Sequence, residues 1–168
     1  MIIGKKIYLR KLNIEDASIR YCNWLNDPEV NKYLETRKVT IEELRVYIKE
    51  KNEKNNCLLF GIFDKNKNEH IGNIKIEAFH TGVHIGILIG EREYWNKGIG
   101  TEATKLLVKH AFDTLDIKSI YLGVIPQNKG AIRIYEKVGF KVKQIIPNGI
   151  DHDGIKYDKI VMEIKKIG

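Results

Sequence analysis

A glycine-rich segment with one lysine is the part of this chain best suited to binding an anion. It reads Trp95-Asn96-Lys97-Gly98-Ile99-Gly100-Thr101 and lies between a predicted strand and a predicted helix. Glycines let backbone N–H groups approach an anion closely, and the N-terminus of the following helix carries a partial positive charge. Lys97 adds a full positive charge. This combination predicts a site for a pyrophosphate group.

Two other interpretations of the segment are open. Residues 98–103 match the dinucleotide-binding pattern GxGxxA, but about eight residues separate the first glycine from the preceding strand. The next strand, which ends near Ile125, also lacks the acidic residue that such a site needs for ribose. The second interpretation is a glycine turn that only connects a strand to a helix.

A later segment could bring polar side chains to the same site. Asn128 is a natural N-cap for a helix that closes at Gly139. Tyr135 follows seven residues later, so the two side chains lie on nearly the same helical face, roughly 10 Å apart along the axis. Taken singly, Asn128 is an ordinary cap and Tyr135 a half-buried core aromatic. Together with the glycine segment, they favour a functional role.

Both segments resemble the GNAT superfamily of acyltransferases. Residues 94–103 are similar to the family's pyrophosphate loop, Q/R-x-x-G-x-G/A, with Trp95 where Gln or Arg is usual. With this aromatic residue, the loop sequence is similar to that of the branch containing ribosomal-protein N-terminal, spermidine and amino-sugar acetyltransferases. Residues 128–140 resemble the family segment N-x-x-A-x-x-x-Y-x-x-x-G-F. The resemblance implies acetyl-CoA as acyl donor and a primary amine as acceptor.

The resemblance also implies a fold and a set of site residues. The fold is α/β, with a mixed, mostly antiparallel sheet of about seven strands and about four helices, splayed at the cofactor site, in one domain over residues 1–168. Asn128 would bind the pantetheine arm, and Tyr135 would protonate the departing thiolate. Backbone groups of the strand before the loop would meet pantetheine and the thioester carbonyl. The implied cofactor-binding residues are Ile87, Leu88, Ile89, Trp95, Asn96, Lys97, Gly98, Ile99, Gly100, Thr101, Asn128, Ala131 and Tyr135.

The general base and the acceptor site are less defined by the sequence. No Ser-His or Cys-His pair suggests an acyl-enzyme, so direct attack by the amine is expected. Glu77 is the predicted base, and His80, His84 and Glu91 are alternatives that could act through water. A weak base favours an acceptor with a low pKa, such as an amino sugar or a peptide N-terminus, over a polyamine. The predicted acceptor-binding residues are Asn26, Tyr33, Arg37 and His84.

The hydrophobic pattern supplies the elements that position these groups. Two capping boxes, Asn13 with Asp16 and Thr40 with Glu43, predict helix starts. Apolar residues at helical or alternating spacing define the other elements. The predicted helices cover 14–25, 41–48, 103–112 and 129–138, and the predicted strands cover 5–12, 58–63, 70–79, 83–89, 119–125, 141–146 and 156–164.

Composition limits the partners. The formal net charge of +7 suits an anionic partner, but the lysines are dispersed, so a nucleic-acid arm is not expected. No apolar window predicts a membrane span, and no residue cluster predicts a metal site. Cys22 and Cys57 are far apart, which favours free core thiols and a cytoplasmic protein. A non-catalytic acyl-CoA sensor and a homodimeric assembly remain open.

Overall fold

The computed structural model describes residues 1–34 and 38–168, and its elements follow the predicted order. The helices are α1 (Ile19–Asn26), α2 (Ile41–Glu53), α3 (Ile99–Thr114) and α4 (Lys129–Val138). The strands are β1 (Ile2–Ile3), β2 (Ile7–Lys11), β3 (Cys57–Asp64), β4 (His70–Phe79), β5 (Gly82–Ile89), β6 (Ser119–Val124), β7 (Lys141–His152) and β8 (Ile155–Lys165). No helix in the described part is both long enough and apolar enough to cross a bilayer.

One open sheet contains all of these strands. Its order is β1-β2-β3-β4-β5-β6-β8-β7, and every neighbouring pair except β5 and β6 is antiparallel. The predicted mixed, mostly antiparallel sheet with four helices is therefore confirmed. The strand count is eight and not about seven, because the two-residue β1 pairs with β2 and is too short to give an alternation pattern.

The first predicted helix is divided into two parts. The Asn13–Asp16 capping box is present, but it closes a single 3₁₀ turn, Ile14–Asp16. Arg10 on β2 donates two hydrogen bonds of 2.9 Å to Asp16, which fix this turn against the sheet. The chain is extended at Ala17 (ψ 92°), and α1 starts again behind a new cap, Ser18, whose side chain accepts from the Tyr21 N–H.

Helix α2 starts at the predicted capping box and runs further than predicted. Thr40 and Glu43 exchange the expected hydrogen bonds. The polar residues after Ile48 do not end the helix, because two of them find partners across the fold. The Asn52 amide donates to the Leu12 carbonyl at 2.7 Å, and the Lys51 ammonium donates to Glu77 at 2.9 Å.

The two helix pairs cover opposite faces of the sheet. Helices α3 and α4 pack on the main core, which includes Ile74, Leu107 and Tyr135. Helices α1 and α2 cover a smaller core around Trp24, Ile48 and Leu59. Residues directly opposite in register share a face, so Asn73, Leu88, Lys75 and Gly86 lie on the α1/α2 side with Leu59.

Strands β5 and β6 separate almost as soon as they meet. Within the described chain, His84↔Tyr121 is the only register pair between them, at the beginning of β5. Beyond that pair the strands diverge, which confirms the predicted splay. We call the space between the last residues of β5 and β6 the gap.

The C-terminal hairpin is longer than predicted. Strand β7 continues from Ile146 to His152, because Asn148 and Gly149 form an irregularity inside the strand, where the register shifts between Ile146 and Ile150. The true turn is Asp153-Gly154, with both residues left-handed (φ 53° and 81°). This backbone is typical of a two-residue Asp-Gly hairpin turn.

Replacing Gly90 with alanine should destabilise the fold. A Cβ at position 90 would lie 2.0 Å from Trp24 Cδ2, so the indole that anchors the smaller core would have to move. Overpacking of this kind costs about 1–3 kcal/mol, measurable by urea denaturation. Gly130→Ala is the matched control, because a Cβ there meets no atom within 4 Å. Equal stabilities for the two variants would contradict this account of Gly90.

Candidate active site

The loop before α3 has a backbone suited to an anion. Asn96 and Gly98, on either side of Lys97, both adopt left-handed conformations, with φ of 59° and 80°. Such departures from regular backbone are typical of the concavities in which successive N–H groups bind phosphates. Gly98 is the N-cap of α3 and supplies no capping side chain.

The first turn of α3 leaves donors for a ligand. The Glu102 N–H is the first to bond inside the helix, to the Gly98 carbonyl at 3.0 Å. The three preceding amides, at residues 99–101, have no intrahelical acceptor. A Cβ at Gly98 would meet nothing within 4 Å, so open space lies over the turn. These groups fit a pyrophosphate.

Gly100 is explained by packing between helices. A Cβ there would lie 2.7 Å from the Ile134 Cδ1 of α4, and Gly100 itself is buried. The missing side chain therefore lets α3 and α4 approach closely. Gly98 keeps the ligand side open, whereas Gly100 keeps the helices together.

A second ammonium group lies at the loop. The Lys6 Nζ donates to the Lys97 carbonyl at 3.0 Å, and the Glu102 carboxylate accepts from the Lys6 and Ile7 amides. The start of β2 is thereby held against the loop. Lys6 is 91 residues from Lys97 in sequence and has no motif of its own, so sequence reasoning missed it.

Trp95 fastens the loop to β5. Its indole Nε1 donates to the Ile89 carbonyl at 2.9 Å, and about a third of the side chain is exposed. The aromatic residue that replaces Gln or Arg in the family pattern thus has a structural partner. The hydrogen bond fixes where the loop leaves the strand.

The register of β5 decides which backbone groups face the gap. The Gly90 N–H bonds to the Ile71 carbonyl at 2.9 Å, towards β4. Because the bonding direction alternates along an antiparallel strand, Leu88 directs its backbone groups to β4, whereas Ile87 and Ile89 direct theirs to the gap. Of the three predicted residues, Ile87 and Ile89 therefore both direct an amide to the gap, and the carbonyl of Ile89 already accepts from Trp95.

Tyr135 combines a buried ring with a hydroxyl that no described residue binds. The ring packs against Phe140 with a centroid distance of 5.8 Å. Burial raises the pKa of the Tyr135 phenol to about 12. Every buried side-chain polar atom of the described residues has a hydrogen-bond partner, so the unpaired hydroxyl is not sealed in the core. It is a protonated donor that a ligand can reach.

Asn128 caps α4 and keeps one side of its amide for a ligand. Its Oδ1 accepts from the Ala131 N–H at 3.3 Å, as the sequence predicts. The side-chain NH₂ group has no hydrogen-bond acceptor among the described residues. Ala131 is half-buried on the first turn of the same helix. The cap thus orients the amide donor.

A pocket of about 640 Å³ opens on the α1/α2 side of the gap. Tyr33, which was predicted to bind the acceptor, lines it and donates a hydrogen bond to the Gln127 carbonyl at 3.3 Å, across to the loop before α4. The remaining lining includes aromatic residues, two lysines and the strand residues nearest the gap: Tyr21, Tyr47, Lys51, Lys75, Gly86, Ile87 and Leu88.

Two of the other predicted acceptor residues, Asn26 and His84, do not line the pocket. Asn26 exchanges hydrogen bonds with the Val39 backbone, at 3.2 and 3.1 Å, and so ties the end of α1 to the start of α2. His84 lies at the closed end of the gap, with its ring 3.0 Å from the Thr81 hydroxyl and packed against Tyr121. Arg37 lies outside the described residues.

Glu77, the predicted base, is buried among three lysines. Its carboxylate accepts from Lys51 at 2.9 Å and Lys54 at 3.4 Å, with Lys75 at 3.7 Å. Burial acts to raise the pKa of Glu77, but the Lys51 hydrogen bond and the lysine charges outweigh it, so the pKa lies below its ordinary value. Its proton affinity is therefore low, and its role as the base stays a prediction.

The alternative bases differ in their surroundings. Burial, with a contribution from the charge of Lys159, lowers the pKa of His84, so the imidazole is neutral at pH 7 and has a lone pair. Glu91 accepts a hydrogen bond from the Trp24 indole and pairs with Arg20 at 3.1 Å. Both partners lie on α1, so the Glu91 carboxylate holds this helix in place. His80 lies exposed in the turn between β4 and β5.

Comparisons with known proteins agree with this geometry. Residues 6–141 match the family model described as an acetyltransferase (GNAT) domain. The chain is 31% identical to a probable N-acetyltransferase, YjcK, of Bacillus subtilis, over 98% of this chain and 96% of that protein. It is also 31% identical to the spermidine N(1)-acetyltransferase of Escherichia coli, over 82% and 74% of the two chains. Spermidine N-acetyltransferase from Vibrio cholerae, solved with CoA and spermine, superposes with a TM-score of 0.84 at 22% identity, over 96% of each chain.

Replacing Gly98 with alanine should weaken coenzyme A binding, whereas the same change at a glycine with a matching backbone should affect only the fold. Gly154→Ala is the matched control, because Gly98 and Gly154 have φ of 80° and 81° and a Cβ at either meets no atom within 4 Å. Each variant should lose about 1–3 kcal/mol from the strained backbone. Only the Gly98 variant should also lose a charge-assisted backbone contact, which corresponds to a roughly tenfold or larger rise in Kd.

Isothermal titration with coenzyme A measures the difference. An unchanged affinity in the Gly98 variant would contradict the loop as the pyrophosphate site.

Proposed function

The chain belongs to the GNAT family of acetyltransferases, and from this membership we propose how its own residues carry out the reaction. It is an N-acetyltransferase that uses acetyl-CoA to acetylate an amine. The alternative of a non-catalytic sensor is not retained. The observation that carries the proposed site is that three features are left for a ligand: the open turn at Gly98, the Ile87 backbone that faces the gap, and the Tyr135 hydroxyl that no described residue binds.

The donor is proposed to lie in the gap as an additional strand. Amides of residues 97–101, with the ammonium groups of Lys97 and Lys6, hold the pyrophosphate. Ile87 and the Asn128 amide hydrogen-bond the pantetheine arm, beside Ala131. The Ile87 N–H is placed to polarise the thioester carbonyl, because it is the gap-facing amide of β5 nearest the acceptor pocket.

Acetyl-CoA supplies an activated acyl group. The chain's residues orient the reacting groups and protonate the departing sulfur. The acceptor nitrogen forms the new C–N bond while the C–S bond breaks. Tyr135 donates its proton to the departing sulfur and regains one from the nitrogen, which becomes acidic once it is acylated. With its pKa at about 12, Tyr135 stays protonated throughout the neutral range. The proton count balances without a covalent enzyme intermediate.

The acceptor must arrive as a neutral amine. An α-amino group titrates near ~7.7–8.0 and an alkyl amine near ~10.4, so the reactive fraction at neutral pH depends strongly on the acceptor. Glu77 as the base, with its lowered pKa, or neutral His84 could take the proton through water. We propose a primary amine of a small molecule or a peptide as the acceptor, in the pocket lined by Tyr33.

The chain is proposed to be a single domain that forms a homodimer. One sheet extends from Ile2 to Lys165, which supports a single unit. At its edge, β7 exposes Val142 (56%) and Ile145 (57%). A long apolar edge strand is a template for pairing with another chain, and a second copy would cover it. Cys22 and Cys57 are buried free thiols, which supports the proposal of a cytoplasmic location.

Replacing Ile145 with lysine should convert a dimer into a monomer. The added charge would be buried against the partner copy, whereas Ile19→Lys, on α1 and 68% exposed, serves as the control. Sedimentation should give twice 19.5 kDa for the parent and the control, and 19.5 kDa for the Ile145 variant. A parent protein that sediments as a monomer would refute the proposed dimer.

Replacing Tyr135 with phenylalanine should slow turnover and spare cofactor binding. Loss of a general acid lowers kcat by about 10²–10⁴-fold, while the ring still packs against Phe140. Thiol release measures kcat, and titration with coenzyme A measures binding. Tyr8→Phe is the control, because that hydroxyl bonds only to Asn68 on the far side of the sheet. Equal kcat values for the two variants would exclude Tyr135 as the acid.

A further inference from the structure

Positive charge collects at the acceptor side of the gap. Lys51 and Lys75 both line the pocket, and they share with Lys54 the single buried carboxylate of Glu77. Counting Glu43 on the pocket wall as well, three ammonium groups and two carboxylates leave a net charge of +1 around the pocket. Lys51 and Glu77 are held by a close ion pair at 2.9 Å, whereas Lys75 only approaches Glu77 at 3.7 Å and is 37% exposed.

The side chains of Lys75 and a further lysine, Lys159, lie against the two strands that border the gap, β5 and β6. Lys75 lies opposite Gly86 in the β4–β5 register, and its Cε is 3.9 Å from where a Gly86 Cβ would be, next to Ile87. Across the gap, the Lys159 side chain covers Gly123 of β6, with its Cε 2.4 Å from the position of an added Cβ. Gly123 therefore lets the Lys159 chain lie flat on β6, whereas at Gly86 an added Cβ would only make ordinary van der Waals contact with Lys75.

Neither of these two ammonium groups has a hydrogen-bonded carboxylate among the described residues. For Lys159 no ion pair to a described acidic residue is present, and its charge reaches the His84 ring, whose pKa it helps to lower. We call Lys51, Lys75 and Lys159 the lysine rim. Lys51 is paired with Glu77, whereas the partly buried Lys75 and Lys159 keep ammonium groups that an anion entering with the ligand could bind.

The described pocket lacks the groups that a polycation needs. Its one lining carboxylate, Glu43, accepts from the Thr40 amide at 3.2 Å and the Thr40 hydroxyl at 3.1 Å, which uses it as the cap of α2. A polyamine in this space would place several ammonium groups against the lysine rim. Like charges at such separations repel, most strongly where water is excluded.

We propose that the acceptor is an amine that also carries an anionic group, a carboxylate or a phosphate, and that the lysine rim binds this group. The inference rests on the proposed function and specifies its substrate class. The anion is bound by Lys75 and Lys159, and the amine is directed to the carbonyl polarised by Ile87. Tyr33 and Tyr47 provide aromatic walls for the intervening carbon skeleton.

A panel of matched acceptors tests the inference. Thiol release is measured with glucosamine 6-phosphate against glucosamine, with serine against serinamide, and with spermidine. We expect the anionic member of at least one pair to exceed its neutral partner about tenfold or more in kcat/KM, as one charge-assisted contact implies. The two pairs distinguish a phosphate from a carboxylate. Spermidine should be the poorest acceptor.

Variants of two rim lysines test whether the lysine rim causes the preference for anionic acceptors. Lys75→Gln and Lys159→Gln should each raise KM for the anionic acceptor about tenfold and leave KM for its neutral partner unchanged. Lys118→Gln removes the same charge from an exposed position before β6 and should change neither. Faster release with spermidine than with every anionic amine, or a preference that survives both rim variants, would overturn the inference alone. If thiol is released with none of the amines, the proposed function is overturned together with the inference.

Discussion

The separation of β5 from β6 is the constraint on which the rest of the site depends. A sheet normally pairs every backbone group of neighbouring strands, and unpaired groups are costly unless something else binds them. Here one register pair, His84↔Tyr121, holds the two strands together, and the chain leaves the following amides of β5 to a ligand. An extended ligand can then hydrogen-bond the backbone groups of β5 that β6 leaves unpaired, so that the ligand takes the place of a neighbouring strand.

The elements around the gap keep it from closing or opening further. On one side, α3 and α4 approach closely at Gly100 and Ile134, which places the helix start and the Tyr135 hydroxyl relative to each other. On the other side, Tyr33 reaches the Gln127 carbonyl and joins the segment after α1 to the loop before α4. Trp95 fixes the end of β5 to the anion-binding loop. The position of each reactive group is therefore set by contacts outside the gap.

Local patterns predicted the helix caps, the glycine loop and the order of the strands, because each depends on residues close in sequence. Gly98, Asn128 and the box at Thr40 occupy the positions expected of them. The missed features depend on distant partners. Arg10 breaks the first predicted helix by holding Asp16, and Lys6 reaches the loop from 91 residues away. The direction of the Leu88 backbone follows from the register with β4, which no pattern within β5 reveals.

The arrangement of charge connects the fold to the choice of acceptor. Lys51, Lys54 and Lys75 share the carboxylate of Glu77, and a buried acid without these partners would be neutral or unstable. Its structural effect is to hold Lys51 and to keep Lys75 near the strand that borders the gap. The residue predicted as a base thus also gathers positive charge beside the pocket. Helix α2 carries Lys51 and is followed at once by its C-cap Lys54, so the helix that covers the smaller core also contributes positive charge beside the pocket.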